Sequence, residues 1–174
     1  MKVLIIQNTI MHYRLPLYNE ISSFCELTVA HSGKASEIQT EFKEVILKHK
    51  KIGAFTWQYG LKDLIIDFDV IIVMFDIKWL SFLYLILFNK NKAQRIYFWG
   101  IGVSSQNGLN KTHMFDNFRF WIAKKATGLI FYSDYPKAIY EKNKIHKSKL
   151  FTAHNTVHVH YDKNKYSKKF NYFL

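Results

Sequence analysis

The chain has 174 residues, of which 49% are hydrophobic, so it is long enough to bury one full-sized core in a single domain. A single cysteine, Cys25, excludes an internal disulfide framework and a cysteine-based zinc site, and fits a reducing cytoplasm. The longest apolar region, 70–88, is interrupted by Asp76 and Lys78, so we expect a strand and then a helix rather than a membrane span. Its second half, 79–88, is apolar almost all round and predicts a buried helix, with a membrane-touching patch as the alternative.

The net charge of +12 is concentrated in the second half of the chain. Residues 1–88 contain nine Lys or Arg and nine Asp or Glu, whereas residues 89–174 contain sixteen basic and four acidic residues. A one-sided basic surface attracts anionic lipid, phosphate-bearing substrates or nucleic acid. A solvated lysine-rich surface is the alternative, and composition does not separate the two.

Seven short apolar runs predict strands buried between layers of helices. These runs are 3–7, 27–30, 44–47, 70–73, 95–99, 129–132 and 150–153. Helical patterns between them cover 16–24, 111–125 and 133–142, with Ser133 as a cap and with Phe118 and Trp121 facing inward. Strands that alternate with helices predict an α/β fold, a doubly wound and mostly parallel sheet flanked by helices.

The turn after the first strand is the most informative feature, because parallel sheets bind ligands beyond the carboxyl ends of their strands. It contains no glycine, so it is not a G-x-G-x-x-G dinucleotide site. It places His12, Tyr13 and Arg14 beside the start of a helix, where anions are favoured. Arg14 could hold a phosphate while Tyr13 stacks on a sugar or lipid head group. The structural alternative is that Tyr13 packs as a hydrophobic staple and Arg14 pairs with Glu20 or another neighbour.

Four further positions lie in the turns that follow later strands. Gly100 and Gly102 allow a close approach of backbone to a ligand, or serve packing alone. His113 could act as a base, although capping a helix suits it better. Ser133 could donate to a ligand, although its role as a helix cap is a sufficient explanation.

No complete catalytic motif is present in the sequence. The G-x-S-x-G and G-x-x-x-x-G-K-[ST] motifs are absent, and no paired carboxylates are evident. His154, His158 and His160 have no Asp, Glu or Cys at ligand spacing, so we predict no metal site.

In five motifs, the chain resembles the N-terminal half of GT-B glycosyltransferases of family 4 (group 1). The motifs are KVLIIQNTIMHYRLPLYNEI at 2–21, DFDVIIV at 67–73, YFWGIG at 97–102, ATGLIFYSDYPKAIY at 126–140 and KLFTAHNTVH at 149–158. The resemblance implies a Rossmann-like acceptor-side domain over 1–160, one half of GT-B. It also implies that 161–174 form a hinge and the start of a C-terminal donor-binding domain.

The same resemblance suggests an acceptor site without a catalytic assignment. The implied acceptor-binding residues are His12, Tyr13, Arg14, Gly100, Gly102, His113, Ser133 and Asn155. Asn155 belongs to a segment similar to the family's strand-end Asn motif before the hinge. Relatives often carry W-G-H-G where this chain has Ile101 between the two glycines, so the catalytic residues are unknown.

The resemblance implies a retaining, hexosyl-type glycosyltransferase in bacterial-type cell-surface polysaccharide synthesis, located in the cytoplasm and peripherally at the inner face of the cell membrane. Its acceptor would be a glycan or lipid-linked oligosaccharide. Its donor would be a nucleotide sugar bound by the C-terminal domain, so these residues alone would hold no cofactor and would be inactive. Two alternatives stay open: a non-catalytic scaffold of the same fold, and a basic nucleic-acid-binding module. For the latter no helix-turn-helix, zinc-finger or RNP signature is present, and nucleic acid is not the expected partner.

Overall fold

The computed structural model describes residues 1–88, 91, 93–102 and 115–154. The strands are β1 (Lys2–Ile6), β2 (Glu26–His31), β3 (Lys43–Ile46), β4 (His49–Ile52), β5 (Phe55–Gln58), β6 (Val70–Met74), β7 (Arg95–Gly100), β8 (Gly128–Phe131) and β9 (Leu150–Thr152). The α-helices are α1 (Leu15–Ser22), α2 (Leu61–Leu64), α3 (Leu80–Phe88), α4 (Asp116–Lys125) and α5 (Tyr135–Lys142).

Seven of these strands form one sheet in the order β3-β2-β1-β6-β7-β8-β9, and all its pairings are parallel. The strands are mostly apolar because helices and loops cover both faces of such a sheet. The strand order reverses at β1, whose neighbours β2 and β6 begin the two halves of the sheet. The predicted α/β fold with a parallel sheet flanked by helices is confirmed, and all seven predicted strands are present.

Two hydrophobic cores lie on the two faces of the sheet. Successive residues of a strand point to opposite faces, so Val3 and Ile5 belong to one core while Leu4 and Ile6 belong to the other. The first core includes Tyr18 of α1, and the second packs against α3, α4 and α5.

A two-stranded antiparallel hairpin, β4 paired with β5, was not predicted. All four residues of β4 are exposed and their sequence is HKKI, so no alternation of apolar and polar side chains marks the strand. Gln58, the last residue of β5, is buried and attaches the hairpin to the edge of the main sheet. Its side-chain Nε2 donates to the Gln7 carbonyl at 3.2 Å and to Ser32 Oγ at 2.7 Å.

Two predictions of helix burial are wrong. α3 buries Phe82 and Leu85, but Phe88 at its end is 63% exposed. On α4 the buried residues are Ile122 and Ala123, whereas Phe118 and Trp121 face solvent. Within the described ranges, no helix combines the length and apolar character that crossing a bilayer requires.

The placement of β7 inside the sheet can be tested at Phe98, which is almost fully buried and stacks on Phe75 with ring centroids 4.8 Å apart. Phe98→Ala should lower the free energy of unfolding by about 3–5 kcal/mol, measured by urea denaturation. Phe24→Ala is the matched control, because that ring is 82% exposed, and it should change stability by less than about 0.5 kcal/mol. Equal losses in the two variants would contradict a core position for β7.

Candidate functional site

The carboxyl ends of β1, β6, β7 and β8 lie along one edge of the sheet, beside the point where the strand order reverses. Open α/β sheets bind ligands in the crevice at such a point. The turn after β1 occupies this edge and ends in a 3-10 turn, His12–Arg14, that leads directly into α1. Pro16 lies in the first turn of α1, where its missing N–H leaves no backbone acceptor unpaired.

Arg14 is the central residue of this edge, and only 9% of its surface is exposed. One guanidinium nitrogen donates to Gln7 Oε1 at 3.2 Å and another donates to Tyr132 Oη at 2.5 Å. The guanidinium carbon also lies 4.8 Å from the ring centroid of Trp99 and 5.5 Å from that of Tyr132. The cation is therefore held by neutral hydrogen-bond acceptors and aromatic faces.

Arg14 stays protonated in this environment. Burial lowers the pKa of Arg14, but interactions with the phenol groups of Tyr132 and Tyr18 outweigh burial, and the net pKa is raised. Burial raises the pKa of Tyr18, which stays a neutral phenol. The alternative pairing of Arg14 with Glu20 does not form, since the hydrogen bonds of the guanidinium go to Gln7 and Tyr132.

His12 and Tyr13 lie at the rim of the same edge. His12 is exposed and Tyr13 is half-buried, and their rings meet edge to face with centroids 5.8 Å apart. The structure brings both residues next to Arg14, as the sequence predicts. Their role in binding an acceptor stays a prediction.

Packing explains Gly100, the last residue of β7, and Gly102, which follows the strand. A Cβ on Gly100 would come within 3.3 Å of Phe75 Cβ. Gly102 has a φ of +76°, and a Cβ there would overlap the ring of Phe131. The Gly102 carbonyl accepts a hydrogen bond from Tyr140 Oη at 2.6 Å. Contact of these glycines with an acceptor stays a prediction.

The predicted helix cap at Ser133 is wrong by one residue. α5 begins at Tyr135 and Asp134 occupies its N-cap position, while Ser133 is exposed. The Asp134 carboxylate accepts from Thr152 Oγ1 at 2.6 Å and from Lys137 Nζ at 3.0 Å. These hydrogen bonds, led by that from Thr152, lower the pKa of Asp134.

The remaining predicted positions cannot be placed at this edge. His113 and Asn155 lie outside the described residues, as do His158 and His160. His154 is described and exposed. Within the ranges that the structure covers, no group of three or more His, Cys, Asp or Glu side chains is arranged to hold a metal ion.

Sequence reasoning missed four residues around Arg14: Gln7, Tyr18, Trp99 and Tyr132. Gln7 and Tyr132 each follow an apolar strand directly, and a polar atom at a strand end is a signal that could have been used. Tyr18 and Trp99 gave no such signal, because aromatic residues in a helix or strand are typical of a core.

No protein-family model matches the chain, and no curated protein matches it in sequence. Solved structures do match in fold. HepE of Anabaena in complex with UDP and glucose matches with a TM-score of 0.57 and 10% identity, over 89% of this chain and 44% of that one. This chain has the fold of one Rossmann-like half of a GT-B protein. UDP-GlcNAc 2-epimerase from Methanocaldococcus jannaschii matches with a TM-score of 0.52 and 11% identity, over 87% of this chain and 45% of that one.

The chain thus spans less than half the length of either matched structure. The predicted Rossmann-like half of GT-B is confirmed as a fold. Membership of family 4 and the domain boundary at 160 stay predictions.

The packing role of Gly102 can be tested against a second glycine with positive φ. Gly53 has a φ of +60°, and nothing lies within 4 Å of an added Cβ. Gly53→Ala should cost about 1–2 kcal/mol of unfolding free energy for the left-handed backbone alone. Gly102→Ala should cost about 1–3 kcal/mol more, because its methyl group must displace the ring of Phe131. Thermal or urea unfolding measures the difference, and equal costs would show that the overlap with Phe131 is unimportant.

The hydrogen bond to Asp134 predicts a change in titration. Thr152→Val should raise the pKa of the Asp134 carboxyl toward its ordinary value, as followed by carboxyl carbon NMR. Because the pKa is lowered in the folded protein, the interaction stabilises the fold above the ordinary carboxyl pKa and is lost as the pH falls through the lowered one. Thr127→Val is the control, since Thr127 Oγ1 accepts from the Ile96 amide instead. An unchanged Asp134 pKa in Thr152→Val would disprove this cause.

Proposed function

We propose that this chain is the acceptor-binding N-terminal domain of a sugar-nucleotide-dependent glycosyltransferase that builds bacterial-type cell-surface polysaccharide. The observation that carries the proposal is the match of its parallel sheet to half of HepE, a structure that contains UDP and glucose. The match to half of a UDP-GlcNAc 2-epimerase supports the same sugar-nucleotide context.

The turn after β1 supports the proposal that this chain binds the acceptor and another domain binds the nucleotide sugar. Residues 7–14 contain no glycine that would let the backbone approach a diphosphate, whereas they do bring Arg14, Tyr13 and His12 to the edge. This turn is therefore better suited to bind the acceptor than to bind the nucleotide. The nucleotide sugar would bind to a C-terminal domain of the same enzyme. The ordered motifs support a retaining, hexosyl-type enzyme of family 4, in which this chain alone is inactive.

The acceptor would be a glycan or a lipid-linked oligosaccharide, and the enzyme would work at the cytoplasmic face of a membrane. α4 supports a membrane contact, because the exposed rings of Phe118 and Trp121 stack 5.8 Å apart and Lys125 Nζ lies 4.7 Å from the Trp121 ring. Exposed aromatic rings beside lysines are typical of surfaces that lie on anionic lipid.

The assignment of acceptor and donor to different domains can be tested by kinetics. The enzyme used is one in which this chain is joined to its donor-binding domain. Arg14→Met should raise the KM for the acceptor at least tenfold and leave the KM for the nucleotide sugar nearly unchanged, because Arg14 belongs to the acceptor side. Arg95→Met is the control, since Arg95 is exposed at the opposite, amino end of β7. An equal rise in the donor KM would contradict the assignment, and so would sugar transfer by the 174-residue chain alone.

Vesicle co-sedimentation tests the membrane contact. The chain should bind vesicles that contain phosphatidylglycerol and not vesicles of phosphatidylcholine alone. The double variant Phe118→Ser, Trp121→Ser should bind several-fold more weakly, because it lacks both exposed rings. Phe24→Ser is the matched control on a loop after α1 and should bind like the wild type. Binding that is equal for both lipid compositions, or unaffected by the double variant, would rule out this surface.

A further inference from the structure

Arg14 is a buried cation without a carboxylate partner. The ion pairs of the described residues join His31 to Glu44, Arg119 to Asp116 and Lys137 to Asp134, and none involves Arg14. Outside the described ranges the sequence has one acidic side chain, that of Asp162. A buried charge is costly unless an opposite charge or several hydrogen bonds offset it.

Four buried polar atoms around Arg14 also have no hydrogen-bond partner within the described part of the chain. They are Gln7 Nε2, Arg14 Nε, Tyr18 Oη and Trp99 Nε1, and we call this group the Arg14 cluster. The four residues are at least nine-tenths buried. Three of the atoms carry N–H groups that can only donate, and the fourth is a hydroxyl that can donate. The three N–H groups therefore lack an acceptor, and the Tyr18 hydroxyl, which interacts with the Arg14 guanidinium, can still donate.

The residues of the Arg14 cluster are close together and firmly placed. The guanidinium carbon of Arg14 is 4.8 Å from the ring of Trp99, and the rings of Trp99 and Tyr18 are 6.4 Å apart. Gln7 is hydrogen-bonded to Arg14 directly. Gln7 directly follows β1, and Trp99 lies near the end of β7. Arg14 ends the 3-10 turn before α1 and Tyr18 lies in α1, so the elements of the fold hold the donors in position.

The guanidinium of Arg14 has further N–H groups that can donate hydrogen bonds. Of its five N–H groups, the described partners Gln7 and Tyr132 take one each. Water could accept from the remaining donors, but water is neutral and leaves the charge uncompensated. A phosphate or carboxylate supplies several acceptor oxygens together with a negative charge, and guanidinium groups bind both.

We propose that the Arg14 cluster binds an anionic oxygen group of the acceptor, a phosphate or a carboxylate. This inference rests on the proposed function and deepens it, because it makes the acceptor an anionic molecule. The phosphate could belong to a lipid-linked sugar, and the carboxylate could belong to an acidic sugar of the glycan. Exposed His12 and half-buried Tyr13 at the rim would then contact the part of the acceptor that follows the anionic group.

Isothermal titration of the chain with three anions and one neutral sugar tests the proposal. The anions are inorganic phosphate, pyrophosphate and glucuronate, with glucose as the neutral probe and sodium chloride keeping the ionic strength equal. We expect at least one anion to bind and glucose not to bind. Preference for the phosphates over glucuronate would identify a phosphorylated acceptor, and the reverse would identify an acidic sugar. Either preference supports the proposal.

Arg14→Met should weaken anion binding at least tenfold, whereas Arg95→Met should leave it unchanged. Without anion, Arg14→Met should unfold in one cooperative transition at a lower melting temperature than the wild type, because it loses the hydrogen bonds to Gln7 and Tyr132 and the contact with the Trp99 ring. This measurement also shows that the variant folds.

Tyr18→Phe removes one unpartnered hydroxyl and keeps the buried ring, so it should weaken anion binding about threefold or more. Tyr59→Phe is the matched control at an exposed position and should bind anions as the wild type does.

The proposal is overturned if the wild type binds no anion, or if Arg14→Met binds as tightly as the wild type. A longer enzyme that transfers sugar without any anion binding at the Arg14 cluster would overturn this inference alone. Anion binding in a chain whose longer form consumes no nucleotide sugar would overturn the proposed function alone.

Discussion

The arrangement of the site depends on one side chain that links residues at the ends of two separated strands. Arg14 bonds to Gln7 after β1 and to Tyr132 after β8, two strand ends that β6 and β7 separate in the sheet. Three strand spacings correspond to about 14 Å, a distance that backbone hydrogen bonds between neighbouring strands do not cover. A long planar cation is suited to this task, because its donors point in fixed and different directions. The same side chain packs on Trp99, so the edge is held together by polar and aromatic contacts at once.

The local pattern of apolar and polar residues predicted the buried strands of the fold. It failed for features that depend on contacts between residues far apart in sequence. Buried parallel strands such as β1 are continuous apolar runs, so the sequence reveals them. The exposed strand β4 is polar throughout and has no such pattern. An apolar run predicts a helix over 79–88 and a helical pattern predicts one over 111–125, but how much of each helix the neighbours cover depends on packing. The turn that holds Arg14 could be predicted from its place after β1, whereas its partner Tyr132 lies 118 residues away in sequence.

The fold indicates the architecture of the protein, whereas the side chains at its edge determine what it can bind. A parallel sheet with a reversal at β1 is shared with proteins that are only 10% and 11% identical to this chain, so it reports architecture. Chemical specificity must come from the residues that the edge presents. Ile101 is exposed between two packed glycines, at the position where the resemblance leads one to expect a histidine. The edge therefore offers a cation, aromatic rings and amides, and its one described imidazole is that of His12 at the rim rather than one at position 101.

At the end of β1, the contact that anchors the hairpin and the contact with Arg14 use different parts of Gln7. Gln58 attaches the hairpin through the main-chain carbonyl of Gln7, while the side chain of Gln7 contacts Arg14. A carbonyl is present whatever residue occupies position 7, so replacing that side chain leaves the anchor of the hairpin in place. Natural variation can therefore alter the polar lining next to Arg14 without detaching the hairpin, and the two can evolve independently.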